Sequence, residues 1–239
     1  VYTNGTETFN GYMSDVRVYK GVAKYTSNFV VPATSPDILP DTPSGVSGSS
    51  KLAKVIDGAV SFDGSGDKLT SNSTDFVFGT SSFTVEAFVY KNSTSTKIFF
   101  SQTDNSAGGR NGIAIGYQSG ALWILQGDGS NWSLETTVGS FPTNKWVHIA
   151  VSRDYSATKT YYFIDGQLVY TYETNINLSA DNNGDIKIGS VENSGTTYDW
   201  DGFISNFRVL KGTALYTANF TPPSATPLTN VTNTKLLCC

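Results

Sequence analysis

Trp132 stands in the stretch QGDGSNWS, close to Asp128 and next to Asn131. Tryptophan is usually drawn inside a fold, so an indole in a Gly/Ser/Asn loop asks for a reason. Its flat apolar face suits a sugar ring, while Asp, Asn and Arg side chains hydrogen-bond hydroxyls. Arg110, in AGGRNG, reaches the same place if the two adjoining hairpins are neighbours. Trp132, Asn131, Asp128 and Arg110 therefore form a candidate carbohydrate-binding set. The alternative is a Trp132 folded back over the edge of a sheet.

Catalytic chemistry has less to work with. Glycoside cleavage takes two carboxyl groups about 5–10 Å apart. Glu86, in FTVEAFVY, has no second carboxylate on its stretch and reads as a polar residue paired in or beside a sheet. His148, in KWVHIAV, is the single histidine, and no Ser or Cys nucleophile stands near it in a recognisable elbow. The chain is expected not to be an enzyme. Calcium takes about six to eight oxygens from Asp, Asn and backbone carbonyls. Asp63 and Asp67 in FDGSGD, Asp181, Asn183 and Asp185 in SADNNGD, and Asp104 and Asn105 in TDNSAGG are of that type. None has EF-hand spacing, and turns use the same residues. No cofactor is required; calcium is the one these residues admit, with Asp63, Asp67, Asp181 and Asp185 its candidate ligands.

Strands and turns must position these residues. Charged residues are only 15% of the 239, aromatics are 13%, and Gly, Ser, Thr and Asn fill the difference. That mixture suits strands with polar outer faces rather than long surface helices. VSFDG, FTVEAFVY, KIFFSQ, GIAIGYQ, ALWILQGDG, KWVHIAVSRD, DIKIGS and GFISNFRVLK follow one another with turn residues between them. Asp165-Gly166 between two β-rich runs predicts a hairpin. FTVEAFVYK is apolar on both faces, which predicts a strand covered on both sides. The fold class is all-β: a two-sheet antiparallel jelly-roll sandwich with an N-terminal β arm. Trp123 and Trp146, in strands, are assigned to the core, and Trp200 to a structural role. KGTALYT is expected to form one short helical turn.

The arm rests on a repeat. GYMSDVRVYKGVAKYTSNF at 11–29 recurs as GFISNFRVLKGTALYTANF at 202–220, and 13 of the 26 positions from Gly11 and from Gly202 are identical. Arg17 matches Arg208, Lys20 matches Lys211, Tyr25 matches Tyr216 and Phe29 matches Phe220. Tyr12, Val16 and Val18 are expected on one face of a strand, as are Phe203, Phe207 and Val209 in the second copy. Tyr12, Val16, Val18, Tyr25 and Phe29 are thus candidate assembly residues. A piece this short cannot fold alone. It completes a preceding module, packs on its own sandwich, or fills the last-strand position of a neighbouring subunit. Residues 1–40 are the arm, 41–50 a linker, 51–227 the sandwich, and 228–239 an extension leading to a next module or strand.

The phrases VSFDGSGDKLT, FTVEAFVY, KWVHIAVSRD, YYFIDGQLV, IKIGS and DGFISNFRVLKGTALYT resemble, in order, a laminin-G-like module of the concanavalin A-like lectin/glucanase superfamily. The resemblance implies the jelly roll, with the second copy of the repeat as its last strand. It implies calcium at loop ends and allows hydrolase chemistry, although this chain has no Glu-x-Asp-x-x-Glu. GTALYTANFTPP and NTKLLCC are similar to tandem modules in structural proteins of marine tailed phages. The expected role is a non-enzymatic structural module of an extracellular or virion appendage, in which copies of itself or neighbouring modules are the partners. The alternative is a glycan-binding adhesion module for a cell-surface polysaccharide. A net charge of −4 and a pI near 4.9 speak against nucleic acid, and no stretch is apolar enough for membrane insertion. The adjacent Cys238 and Cys239 argue against a disulfide framework. With Val1 at the start, the sequence reads as a piece of a longer or processed polypeptide.

Overall fold

The computed structural model describes Thr26 and residues 58–103, 110–178, 185–193, 196–223 and 228–238. The arm residues Tyr12, Val16, Val18, Tyr25 and Phe29, the linker, and Asp104, Asn105, Asp181 and Asn183 lie outside the described residues. The strands are β1 (Val60–Asp63), β2 (Leu69–Asn72), β3 (Phe83–Lys91), β4 (Lys97–Gln102), β5 (Asn111–Gln118), β6 (Ala121–Asp128), β7 (Trp132–Val138) and β8 (Trp146–Asp154). They continue as β9 (Lys159–Ile164), β10 (Gln167–Tyr172), β11 (Asp185–Ile188), β12 (Glu192–Asn193), β13 (Thr196–Thr197), β14 (Asp201–Lys211) and β15 (Thr234–Cys238).

Two antiparallel sheets face each other. One runs β1-β14-β3-β8-β9-β10 with β15 also paired to β14; the other runs β2-β11-β4-β5-β6-β7, and β12-β13 is a separate ribbon. Strict alternation fills the space between them. Val85, Ala87 and Val89 of β3 face Ile113 and Ile115 of β5 and Leu122 and Ile124 of β6 in one continuous core. Trp200 is 0% exposed within it, its edge on Phe99 at 5.6 Å. The hairpin at Asp165-Gly166 has φ of 48° and 74°, the two positive values a type I′ turn needs.

The last strand differs from expectation. Asn206 sits at φ 52°, and the pairing of β14 with β3 shifts register between Ser205 and Arg208. This bulge places two residues opposite one and reverses the facing of what precedes it. Ile204, Phe207 and Val209 point into the core, while Phe203 is turned outward and is 37% exposed. Phe203 therefore does not share a face with Phe207 and Val209. The bulge also divides the outer side of β14: β1 pairs with Asp201–Ile204 and β15 with residues 207–210. Residues 228–238, read from sequence as an extension, fill this position, and the Leu228 N–H donates to Asn206 Oδ1 at 3.0 Å.

After β14 no helical turn forms. Residues 212–223 run as an irregular strap over the outer face of the seven-stranded sheet. The sheet supplies the partners a helix would otherwise supply internally. Gly212 N–H donates to Ser82 O, Leu215 N–H to Thr84 Oγ1, Tyr216 N–H to Ser152 Oγ and Phe220 N–H to Gly166 O, at 2.7–3.1 Å. A Cβ on Gly166 would meet Phe220 O at 2.0 Å, so the strap lies directly on the hairpin turn. Tyr216 and Phe220 stack at 3.6 Å, and both pack on Phe163 of β9.

Lys91, at the end of β3, is buried with its Nζ donating to Ser93 Oγ at 2.8 Å and standing 5.5 Å from the Trp200 ring. Burial pushes its ammonium down to about 8, partly offset by the Asp201 charge. A base lowered on folding costs stability while charged, and that cost fades as pH rises from about 8 to above 10. Lys91→Met is expected to stabilise the sandwich by about 1–2 kcal/mol at pH 7, with the gain shrinking toward pH 10. Urea midpoints across that range check it.

Candidate functional site

The outer face of the six-stranded sheet carries a shallow cleft of about 10 Å³, room for about one water. On β5 the outward positions are small, with Ala114 between Gly112 and Gly116, so the neighbouring strands stand higher. Trp123 and Leu125 of β6 form one wall, and Ile98 of β4 with Val191 and Tyr198 beside the β12-β13 ribbon form the other. Trp132 closes one end. The ribbon is held in place by Tyr198 N–H to Val191 O at 3.1 Å and Ile98 N–H to Tyr198 O at 2.9 Å. Trp123 meets the Tyr198 ring edge-on at 5.6 Å. Thr103, just beyond β4, lines the same groove and is 2% exposed. Among the described residues its Oγ1 has no hydrogen-bond partner, which is costly for a buried hydroxyl unless a ligand or water supplies one.

The sequence-derived set gathers at the end of this groove. Asn111 pairs with Asp128, and Gly129 N–H donates to Arg110 O at 2.9 Å, so Arg110 adjoins the β6-β7 turn. Asn131 and Arg110 are exposed, and Trp132 is half-buried against Trp123 and its neighbours. Asp128 has a local duty: its Oδ1 accepts from Ser130 N–H at 2.9 Å and Asn131 N–H at 3.0 Å. The N–H of Asn131, then that of Ser130, hold its carboxyl below the ordinary value. Trp123, Tyr198 and Thr103 were not among the sequence candidates. Their signal is the run of small residues at alternate positions of β5, which leaves room beside a large indole. Trp123 is buried, but on this outer face rather than between the sheets. Trp146 is half-exposed on the outer face of the other sheet, not in the core, because β8 turns its first residue outward.

Glu86 and His148 lie beneath the strap, and neither has exposed side-chain surface. Glu86 Oε1 accepts from Arg208 Nε at 2.8 Å and from Nη2, and Oε2 accepts from Tyr216 OH at 3.0 Å. His148 Nε2 stands 3.2 Å from Oε2, so an ionised carboxylate requires the proton on Nε2. Arg208 Nη1 donates to Thr229 O at 2.9 Å. Burial raises the Glu86 carboxyl, and the His148 hydrogen bond and Arg208 charge outweigh it, leaving it below the ordinary value. The cluster is sealed by its own chain and ties β3, β8, β14 and the strap together.

The calcium candidates do not converge among the described residues. Asp63 Oδ1 accepts from Ser65 N–H at 2.8 Å and Asp67 Oδ2 from Asp63 N–H at 3.2 Å, so both serve one turn. Asp185 accepts from Asn72 on the neighbouring β2. The described residues contain no group of three or more His, Cys, Asp or Glu placed to hold a metal.

Solved structures share this fold at low identity. The carbohydrate-binding module CBM40 of the Ruminococcus gnavus IT-sialidase, solved bound to α2,3-sialyllactose, is 12% identical with a TM-score of 0.53, over 66% of this chain and 93% of that one. A heptameric SAP-like pentraxin from Limulus polyphemus is 16% identical with a TM-score of 0.50, over 66% and 77%. The leech intramolecular trans-sialidase is 16% identical with a TM-score of 0.51, over 66% and 26%. At these identities the likeness is one of fold. Among curated proteins no sequence matches this chain. The family model for the concanavalin A-like lectin/glucanases superfamily (Laminin_G_3) matches residues 63–216, more than half of the chain, and the chain belongs to that superfamily.

Proposed function

We propose that this chain is a non-catalytic carbohydrate-binding module, with the groove between Trp123, Trp132 and Tyr198 as its site. The carrying observation is the pairing of aromatic walls with the buried Thr103 hydroxyl, which has no partner among the described residues. The half-buried Trp132 and Tyr198 rings supply the apolar contact for a sugar face, and the exposed Asn131 and Arg110 supply hydrogen bonds at its margin. The sialyllactose-bound CBM40, similar in fold, supports the ligand class. Glycan-array binding by the full chain tests the reading. Trp132→Ala is expected to weaken the strongest signals about 10- to 100-fold, with the melting temperature nearly unchanged because Trp132 is half-exposed. A full array with no signal for the wild type defeats the reading.

A second reading concerns display. We infer that residues 1–40 close another sandwich of the same kind, so that modules repeat along an extracellular or virion appendage. Supporting this, β14 and the strap contribute Arg208, Tyr216 and Phe220 to the Glu86 cluster, and the first copy repeats all three as Arg17, Tyr25 and Phe29. Glu86 and the single His148 are already engaged by the second copy. Insertion of the first copy into this position of a neighbouring subunit would require expelling that subunit's own strand. Deletion of residues 1–40 is expected to leave the melting temperature of the sandwich unchanged; a lowered oligomeric state on deletion would favour exchange between subunits.

A further inference from the structure

On the opposite side of the sandwich from the groove, Phe203, Tyr90 and Trp146 lie directly across from one another on β14, β3 and β8. Their ring centroids are 5.8 Å apart for Phe203–Tyr90, 5.7 Å for Tyr90–Trp146 and 6.4 Å for Trp146–Phe203. The strap covers the positions beyond this row, where Phe220 packs on His148 at 5.7 Å. Among the described residues nothing covers the row itself: Phe203 is exposed and the other two rings are half-buried. Among the described residues the Tyr90 hydroxyl and the Trp146 indole N–H donate no hydrogen bond.

The repeat separates this row from an incidental apolar patch. Two exposed apolar residues of the second copy are Phe203 and Leu215. In the first copy Leu215 becomes Lys24, as a water-facing position permits, whereas Phe203 becomes Tyr12. A ring is kept at a position where core packing does not ask for one. Charges at the rim are internally matched. Lys145 stands 3.9 Å from Asp165, and Asp201, which accepts from Asn92 Nδ2 at 2.9 Å, lies in the field of the Lys91 and Lys97 charges. The surface therefore offers ring faces and free N–H and O–H tips without net charge. A neutral pyranose is complementary to that combination, with an apolar face and a rim of hydroxyls.

We infer that Phe203, Tyr90 and Trp146 form a second carbohydrate-contacting face for neutral polysaccharide, which makes the module bivalent across its two sheets. The inference extends the glycan-binding reading but rests on different residues, so the two fail separately. Affinity electrophoresis of the full chain through gels containing laminarin, galactomannan or dextran tests it. Three proteins are compared: wild type, Phe203→Ser with Trp146→Ala, and Trp123→Ala with Trp132→Ala. Phe203→Ser alone serves as the variant least able to disturb folding. Retardation of the wild type by at least one polysaccharide is expected. The outer-row variants should lose about tenfold or more in affinity for it, with sedimentation showing the same monomer or oligomer as wild type. Unchanged retardation in the outer-row variants, or retardation of no protein by any of the three, overturns the inference. So does a wild-type oligomer that dissociates in Phe203→Ser, since the row is then a protein interface. Loss in the groove variant alone leaves the groove and removes the second face.

Discussion

Glu86→Ala is expected to cost the sandwich about 3–5 kcal/mol, a large share of what a domain of this size holds. The carboxylate accepts from Arg208, Tyr216 and His148; Glu86, Arg208 and His148 are buried and Tyr216 is half-buried. Removing it leaves a buried guanidinium with Thr229 O and the Tyr216 hydroxyl as its partners among the described residues. Glu86→Gln keeps the shape but not the charge and should fall within the same range. The pH dependence has a definite sign. The folded carboxyl lies below its ordinary value of 4.5, so its stabilisation is complete above that value and is lost as pH falls through the folded one. The acid-unfolding limb of the wild type below about pH 4.5 should therefore be less steep in Glu86→Gln. The double variant Glu86→Leu, Arg208→Met should recover a large part of the loss, because a buried pair replaced by apolar residues of similar size is often near neutral. Thermal and urea unfolding of the three variants decide it. A Glu86→Ala protein melting within a degree or two of wild type would show that the cluster is not what holds the strap.

The strand order was not written in the sequence, but the sandwich was. Alternation in FTVEAFVYK and KWVHIAVSRD, and the Asp165-Gly166 turn, correspond to β3, β8 and the β9-β10 hairpin. Their periodicity of two and their turn chemistry are local properties. Facing is less local. The displacement of Phe203 follows from one backbone angle at Asn206, and an asparagine signals only that such an angle is tolerated. KGTALYT failed as a helical turn for a similar reason. Its amide partners are Ser82, Thr84, Ser152 and Gly166, which no window around residue 215 contains. The placement of the candidate carbohydrate set was half legible. Trp132, Asn131, Asp128 and Arg110 do come together, because β5, β6 and β7 are consecutive hairpins. Trp123 looked like core because β-sheet burial has two sides, and Val191 and Tyr198, flanking the β12-β13 ribbon, cover the outer one. Glu86 read as a paired polar residue; its partners, 62 to 130 positions away, became visible only once β14 lay beside β3.

Replacing residues 202–220 with residues 11–29 should give a folded chain once two packing positions are restored. The direct exchange keeps Arg17, Tyr25 and Phe29 for the Glu86 cluster and places Asp15 at the bulge, where aspartate tolerates a positive φ and offers an acceptor to Leu228 N–H. It also puts Val16 where Phe207 fills the core and Tyr19 where Leu210 is fully buried. The first leaves a cavity costing about 2–4 kcal/mol, and the second overpacks by about 1–3 kcal/mol. Together these are enough to unfold a marginal domain. With Val16→Phe and Tyr19→Leu built into the grafted segment, the melting temperature should return to within about 10 °C of wild type. A further Arg17→Ala should then abolish folding, as Arg208→Ala is expected to in the native chain, since Glu86 would again be buried without its cation. Near-ultraviolet circular dichroism reports the packing of the aromatic core in each chimera. If the restored graft stays unfolded while wild type folds, the leading copy is not a closing strand. The array reading would then lose its physical basis, although the groove on the other sheet would be untouched.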